Sequence, residues 1–223
     1  MNKKFAIGIA AVVMVTVVVI MGSTYYSTLM QMQEYKPRMS TVSVDLTNGS
    51  PVLGSPDAPI TIIEFGDYQC EMCYHWFHTT RDDVINTYVD SGKANLVFLD
   101  LPFLGRDSHP AAQATYCADD QGKYWDYHII LYDYQGHMNS GWANYDRLKS
   151  FAFNLDLNMD EFGECLDSSK YDERVKLNWQ KASAGGANST PTFIIVNTET
   201  GNEEKIVGAQ PYSVFEKTIN SLL

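Results

Sequence analysis

The apolar positions of this chain fall into stretches of different period, and those periods predict its elements in order. Residues 5–22 form an uncharged run dense in Val, Ile, Ala and Met directly after Lys3-Lys4. As a helix this run spans roughly 27 Å, close to the ~30 Å hydrocarbon core of a bilayer. Residues 23–40 have no clean period and read as a stalk. Residues 41–46 alternate apolar and polar, which predicts a short edge strand. Gly49-Ser50-Pro51 and Gly54-Ser55-Pro56-Asp57-Ala58-Pro59 then punctuate a loop.

From residue 60 the pattern is that of a mixed domain. The apolar run 60–65 predicts a buried strand, 70–89 a helix closed by Ser91-Gly92-Lys93, and 95–100 a second buried strand. Such a strand–helix–strand unit has parallel strands and a right-handed crossover. Helical spacing takes over at 110–120, 124–135, 146–154, 160–166 and 171–183, so an all-helical insertion of about 106–184 interrupts the unit. Sheet structure resumes at 192–196, turns at 197–202 and pairs back as a hairpin at 205–208. Pro211 is expected at the first position of a last helix, where its missing N–H does no harm. The expected architecture is therefore α/β with an inserted helical subdomain, preceded by a transmembrane helix. Its parts are an anchor (1–22), a stalk (23–40) and the folded domain (41–223).

Composition narrows the partners. At 45% hydrophobic and 19% charged the chain is globular. A net charge of −11, with no cluster of Lys and Arg, argues against nucleic acid, whose phosphates require such a cluster. Lysines ahead of the apolar run predict a cytoplasmic N-terminus and a domain on the far side of the membrane. A cleaved signal peptide is the competing reading, but Met21-Gly22-Ser23 makes a poor small-x-small site. Asn48-Gly49-Ser50 and Asn188-Ser189-Thr190 match the N-glycosylation pattern, and the proline after each makes both poor acceptors.

The candidate chemistry is concentrated at Cys70-Glu71-Met72-Cys73, which follows a predicted strand and opens a predicted helix. The N-terminus of a helix carries unpaired N–H groups and a partial positive charge, so a sulfur there is stabilised as thiolate. Two cysteines so spaced after a strand read as a redox pair. Cys70, at the outer end, is the sulfur open to attack, and Cys73, one turn in, is shielded. A static disulfide or half of a zinc site are the alternatives. His75 and His78 complete a four-ligand list, but at 100° per residue they point away from the cysteine pair, so no metal is expected. Cys117 and Cys165, both in the helical insertion, are then each other's remaining partner. A structural disulfide and two free buried thiols are both open for them, and an oxidising compartment favours the disulfide.

Several further motifs accompany this pair in order: Gly54-Ser55-Pro56-Asp57-Ala58-Pro59, Glu64-Phe65, Gln121-Gly122-Lys123-Tyr124-Trp125, Thr190-Pro191-Thr192-Phe193 and Gly208-Ala209-Gln210-Pro211-Tyr212. Together they resemble the DsbA-like thiol–disulfide oxidoreductases of the thioredoxin superfamily, from about residue 41 to the C-terminus. The resemblance implies a thioredoxin-like fold and an enzyme that introduces disulfides into exported, cysteine-containing polypeptides. It implies Glu64 as a buried acid beneath Cys73 that relays a proton, although a solvated strand-edge carboxylate is the plainer reading. It also implies a cis Thr190-Pro191 bond, with the Thr190 backbone offered to substrate. No cofactor is implied. A membrane quinone-linked oxidase is the implied reoxidising partner. Glu71 and Met72 depart from the Pro or His common in relatives and so bear on the redox poise. A reductase or isomerase using the same pair, and a non-catalytic module that binds peptide or metal, are the other readings.

The anchor has a direct test. Protease added to intact cells should digest the domain, and high salt should not release it from membranes. A soluble mature chain beginning near Ser23 would instead show cleavage.

Overall fold

The computed structural model describes residues 44–223. The anchor, the stalk and the first residues of the predicted strand at 41–46 lie outside the described residues. Among those described, no helix is long and apolar enough to cross a membrane.

The domain is built on a five-stranded sheet of order β1-β3-β2-β4-β5. Its strands are β1 (Leu53–Gly54), β2 (Ile60–Gly66), β3 (Ala94–Asp100), β4 (Thr192–Asn197) and β5 (Glu203–Val207). β2 and β3 run parallel, with Ile60 opposite Ala94 and Gly66 opposite Asp100. β1 with β3, β2 with β4 and β4 with β5 are antiparallel. Every residue of β2, β3 and β4 is buried, as expected of strands covered on both faces.

One long helix, α1 (71–89), crosses between β2 and β3. It is not uniform: Glu71–Trp76 and Asp82–Val84 are α-helical, whereas Phe77–Arg81 and Ile85–Val89 are π-helical turns. The insertion comprises α2 (Ser108–Asp119), α3 (Tyr124–Asp133), α4 (Tyr145–Asn154), α5 (Met159–Asp167) and α6 (Asp172–Ala184). The last helix is α7 (Tyr212–Leu222). Pro211 stands one position earlier than expected, as the N-cap, with an extended ψ of 157°.

Alternation along β2 divides the core. Ile60 and Ile62 pack with Trp76, Tyr88, Phe215 and Ile219 of α1 and α7. Ile63 and Phe65 face the other way and pack with Ala182 of α6. Glu64 has the parity of Ile60 and Ile62, so it points beneath α1. The helical insertion holds a third core, into which Tyr68, Cys70, Cys73 and Phe98 also pack.

The expected edge strand is displaced. Residues 44–46 are not a strand; the sheet edge is β1. Val44 and Leu46 are buried on the β2/β3 face while Asp45 is exposed, so the alternation was real. The segment packs over the sheet instead of pairing in it. Asp45 accepts from the Thr47 N–H at 2.9 Å and pairs with Lys181 at 2.9 Å, which turns the chain before a ladder can form. Another polar tie joins sheet and insertion. The Asn178 Nδ2 donates to Asp100 at 3.0 Å and to the Tyr116 hydroxyl at 2.8 Å.

Cys117 of α2 and Cys165 of α5 form a disulfide across a sequence separation of 48. Closing such a loop contributes on the order of 4 kcal/mol in the chain-entropy model. Replacing both cysteines by alanine should therefore lower the thermal midpoint by several degrees while leaving thiol exchange at Cys70 intact. Loss of exchange at an unchanged midpoint would make the second pair a redox relay.

Candidate active site

The site is assembled where β2 ends and α1 begins. Gly66 closes β2 against Phe98, and a Cβ there would come within 2.4 Å of that ring. Asp67-Tyr68-Gln69 then make the turn, and each is tied down. Asp67 accepts from the N–H groups of Gln69 at 2.9 Å and Leu104 at 3.0 Å. The Tyr68 hydroxyl meets His128 Nδ1 at 2.8 Å. The Gln69 amide donates to Ser108 Oγ at 2.9 Å and accepts from the Asn139 N–H at 2.7 Å. The loop that carries Cys70 is thus fixed largely by the helical insertion.

Cys70 is the N-cap of α1. Its sulfur accepts from the Cys73 N–H at 3.4 Å, and its thiol donates to the Thr190 carbonyl at 3.3 Å. Cys70 is 7% exposed and Cys73 fully buried, and neither is in a disulfide, so the pair is a dithiol. The Cys73 side-chain hydrogen bond is the largest influence on Cys70. With help from the Thr190 side chain and the N–H groups of Cys73 and Met72 it outweighs burial and lowers the thiol from 9.0 to about 6. Burial pushes the Cys73 thiol the other way, well above its ordinary value, and the Cys70 and Glu64 charges add to the rise. One sulfur is thus set to be a thiolate and its neighbour a thiol.

Glu64 is fully buried, flanked across the sheet by Phe98 and Phe193, and neither carboxyl oxygen has a hydrogen-bond partner. It is therefore not a solvated edge carboxylate. Burial raises its pKa to about 8, against Arg81, whose charge pulls it down. The Thr190-Pro191 bond is cis. Glu71 and Met72 are exposed and, with Gln69, Tyr74, Leu104 and Met138, line a groove of about 530 Å³ beside Cys70. His75 is exposed, and His78 packs on Tyr74 with ring centroids 4.2 Å apart.

Sequence reasoning missed three neighbours of this site. Arg81 is buried, its guanidinium 4.9 Å over the Phe77 ring. The π turn advances less per residue than an α-helix, which rotates Arg81 back towards the Cys73 face. His128 is fully buried, and burial lowers its pKa well below the ordinary value, so it is neutral. Tyr132, also fully buried, stacks on Phe77 at 4.8 Å. The signal available for the last two was polar atoms on an apolar helix face, which alone does not distinguish packing from chemistry.

Comparison with known proteins accords with this geometry. A family model described as Thioredoxin matches residues 46–221, and the chain belongs to that family. The chain is 27% identical over 208 residues to the probable disulfide bond formation protein D of Bacillus anthracis, covering 91% of this chain and 92% of that one. It is 26% identical over 178 residues to disulfide bond formation protein D of Bacillus subtilis, covering 78% of each. Among solved structures it resembles oxidised BdbD from Bacillus subtilis, with a TM-score of 0.72 at 24% identity over 81% of this chain and 95% of that chain. It also resembles Wolbachia pipientis alpha-DsbA1, with a TM-score of 0.68 at 24% identity over 81% and 93%. The fold is thus thioredoxin-like with a DsbA-type helical insertion, and the protein is a thiol–disulfide oxidoreductase.

Alkylation by iodoacetamide should label Cys70 and spare Cys73, with a rate that rises through about pH 6. Glu64 has a folded pKa raised from 4.5 to about 8, so the stability it permits is full below about pH 4.5 and falls as pH rises through about 8. The loss by pH 8 is on the order of 4 kcal/mol. Glu64→Gln should flatten that decline in denaturant titrations across pH. An unchanged decline would mean that the Glu64 carboxyl is not what the pH acts on.

Proposed function

We propose that the protein is a disulfide oxidase acting on exported polypeptides through Cys70 and Cys73, held at the outer membrane–water boundary by residues 5–22. The observation that carries the direction is the opposed environment of the two sulfurs. At pH 7 a thiol lowered to about 6 is about ten parts thiolate to one part thiol. A stabilised Cys70 thiolate favours the reduced enzyme, which makes the disulfide form an oxidant of its substrates.

In the oxidised enzyme a substrate thiolate attacks Cys70 Sγ, forming a mixed disulfide as the Cys70–Cys73 bond breaks. Cys73 leaves as a thiolate and, with its high pKa, takes a proton, for which the Glu64 carboxyl is the nearby donor. The second substrate thiolate then attacks the substrate sulfur of the mixed disulfide, and Cys70 departs as the stabilised thiolate. Two electrons pass from substrate to enzyme, and of the two protons lost by substrate one ends on Cys73 and one in solvent. The Thr190 backbone beside the cis Pro191 offers an extended substrate an edge to pair with, a mode tolerant of sequence. Return to the disulfide calls for an electron acceptor, in this reading a membrane quinone-linked oxidase. In this reading Met72 tunes the poise through its N–H to Cys70, and Glu71, exposed on the same turn, through the repulsion its charge exerts on a thiolate.

Equilibration with glutathione tests the direction. An oxidase should be more than half reduced in a glutathione mixture that leaves structural disulfides closed, and it should oxidise a reduced, unfolded protein stoichiometrically. A potential as low as that of thioredoxin, with rapid insulin reduction, would make it a reductase. Glu71→His should shift the equilibrium towards the dithiol by about tenfold, or roughly 30 mV for two electrons. A shift the other way would remove Glu71 from the redox poise.

A further inference from the structure

The groove beside Cys70 is almost without charge, and its carboxylate stands next to the reacting sulfur. Among the described residues, no Lys or Arg lines the groove; Glu71 and His137 are its titratable side chains other than Cys70 and Tyr74. Glu71 is exposed and follows Cys70 directly, as the first residue of α1. Adjacent Cα atoms lie about 3.8 Å apart, so the Glu71 carboxylate stays within roughly 6–8 Å of the Cys70 sulfur. The other flank of Cys70 adds no charge: Ala187-Asn188-Ser189-Thr190-Pro191-Thr192-Phe193 has no ionisable side chain.

Charged groups around the groove are already engaged. Asp67 is buried and accepts from the N–H groups of Gln69 and Leu104. Arg106 is held by Asp107 at 3.6 Å, and Asp133 lies 4.0 Å from His78. Glu71 has neither a hydrogen bond nor an ion pair among the described residues. Its charge therefore acts on whatever enters the groove. A thiolate that attacks Cys70 brings a second negative charge beside it. A cationic side chain next to that thiolate offsets the repulsion, and an anionic one adds to it. Two unit charges about 6 Å apart in water change a rate by about threefold. Exchanging a cation for an anion at that distance is then worth about tenfold.

We propose that Glu71 is a specificity-determining residue that selects substrate cysteines flanked by Lys or Arg over those flanked by Asp or Glu. This deepens the oxidase reading and rests on it. The role is separate from redox poise, which acts on every substrate alike, whereas selection depends on the charge that each substrate carries. The net charge of −11 biases the encounter in the same sense. Beyond a Debye length, about 10 Å at 0.1 M salt, that wider field is screened, and the charge beside Cys70 is what remains. Small thiols of net negative charge are then slow to reduce the Cys70–Cys73 disulfide, which keeps it available to polypeptides.

The test uses the full-length oxidised protein and peptides of serine and glycine that contain two cysteines, each flanked by Lys, by Ser or by Glu. The first peptide thiolate bonds to Cys70 Sγ as the Cys70–Cys73 bond breaks and Cys73 leaves with the electron pair. The second peptide thiolate attacks the peptide sulfur of that mixed disulfide and releases Cys70, so two electrons pass from peptide to protein. Flanking charge also alters the peptide thiols themselves. The quantity read is therefore the Lys:Glu rate ratio of the wild type divided by that of Glu71→Gln. At low salt and one fixed pH we expect a quotient of about ten. Glu71→Lys should bring its own Lys:Glu ratio below that of Glu71→Gln. Salt near 1 M, where the Debye length is about 3 Å, should bring the quotient close to one. A quotient near one at low salt overturns the selection, as does a Glu71→Lys ratio equal to that of Glu71→Gln. So does a quotient that high salt leaves untouched. A change of all rates by one common factor is a shift of poise alone and overturns it too. Failure of the oxidase reading looks different: the oxidised protein would then react with none of the peptides, nor with glutathione.

Discussion

The hydrogen bond from the Cys73 N–H to the Cys70 sulfur is the interaction on which the rest of this structure turns. It is the ordinary capping bond of a helix N-terminus with sulfur in place of oxygen. It works only while α1 begins at Glu71 and its first turn stays packed against the end of β2. That placement holds a charged sulfur at the rim of the fold and an uncharged one in its core. The difference between them comes from burial and hydrogen bonding, because the two side chains are chemically identical. Glu64 extends the same logic beneath α1: a carboxyl with no hydrogen-bond partner, kept neutral near pH 7 by burial.

The helical insertion has two duties that a simple appendage would not have. Through His128, Ser108 and Asn139 it fixes the Asp67-Tyr68-Gln69 turn, so the position of Cys70 depends on residues far along the chain. It also supplies a wall of the groove beside Cys70, through Met138. The disulfide between α2 and α5 restrains this same insertion. Stability of the insertion and the position of Cys70 are thereby linked through a short series of contacts, each of ordinary hydrogen-bond length.

What the sequence determined by itself were the features governed by local rules. The buried strands around residues 60, 95 and 192, the helices of the insertion and the cysteine pair at a helix start all follow from period, turn chemistry and spacing. The parity of Glu64 with Ile60 and Ile62 was also legible, since alternation in a strand fixes the face. What only the tertiary structure decided were the features set by competition between distant groups. The described end of that alternation, residues 44–46, packs over the sheet because Lys181 and Thr47 hold Asp45. The π turn Phe77–Arg81 in α1 brings Arg81 towards the site, and no local propensity marks such a turn. His128 reads as one more residue on an apolar face until Tyr68, sixty residues earlier, is folded against it. Period and spacing report on neighbours within a turn or a pleat. Burial, and with it the contrast between Cys70 and Cys73, is decided by the whole chain.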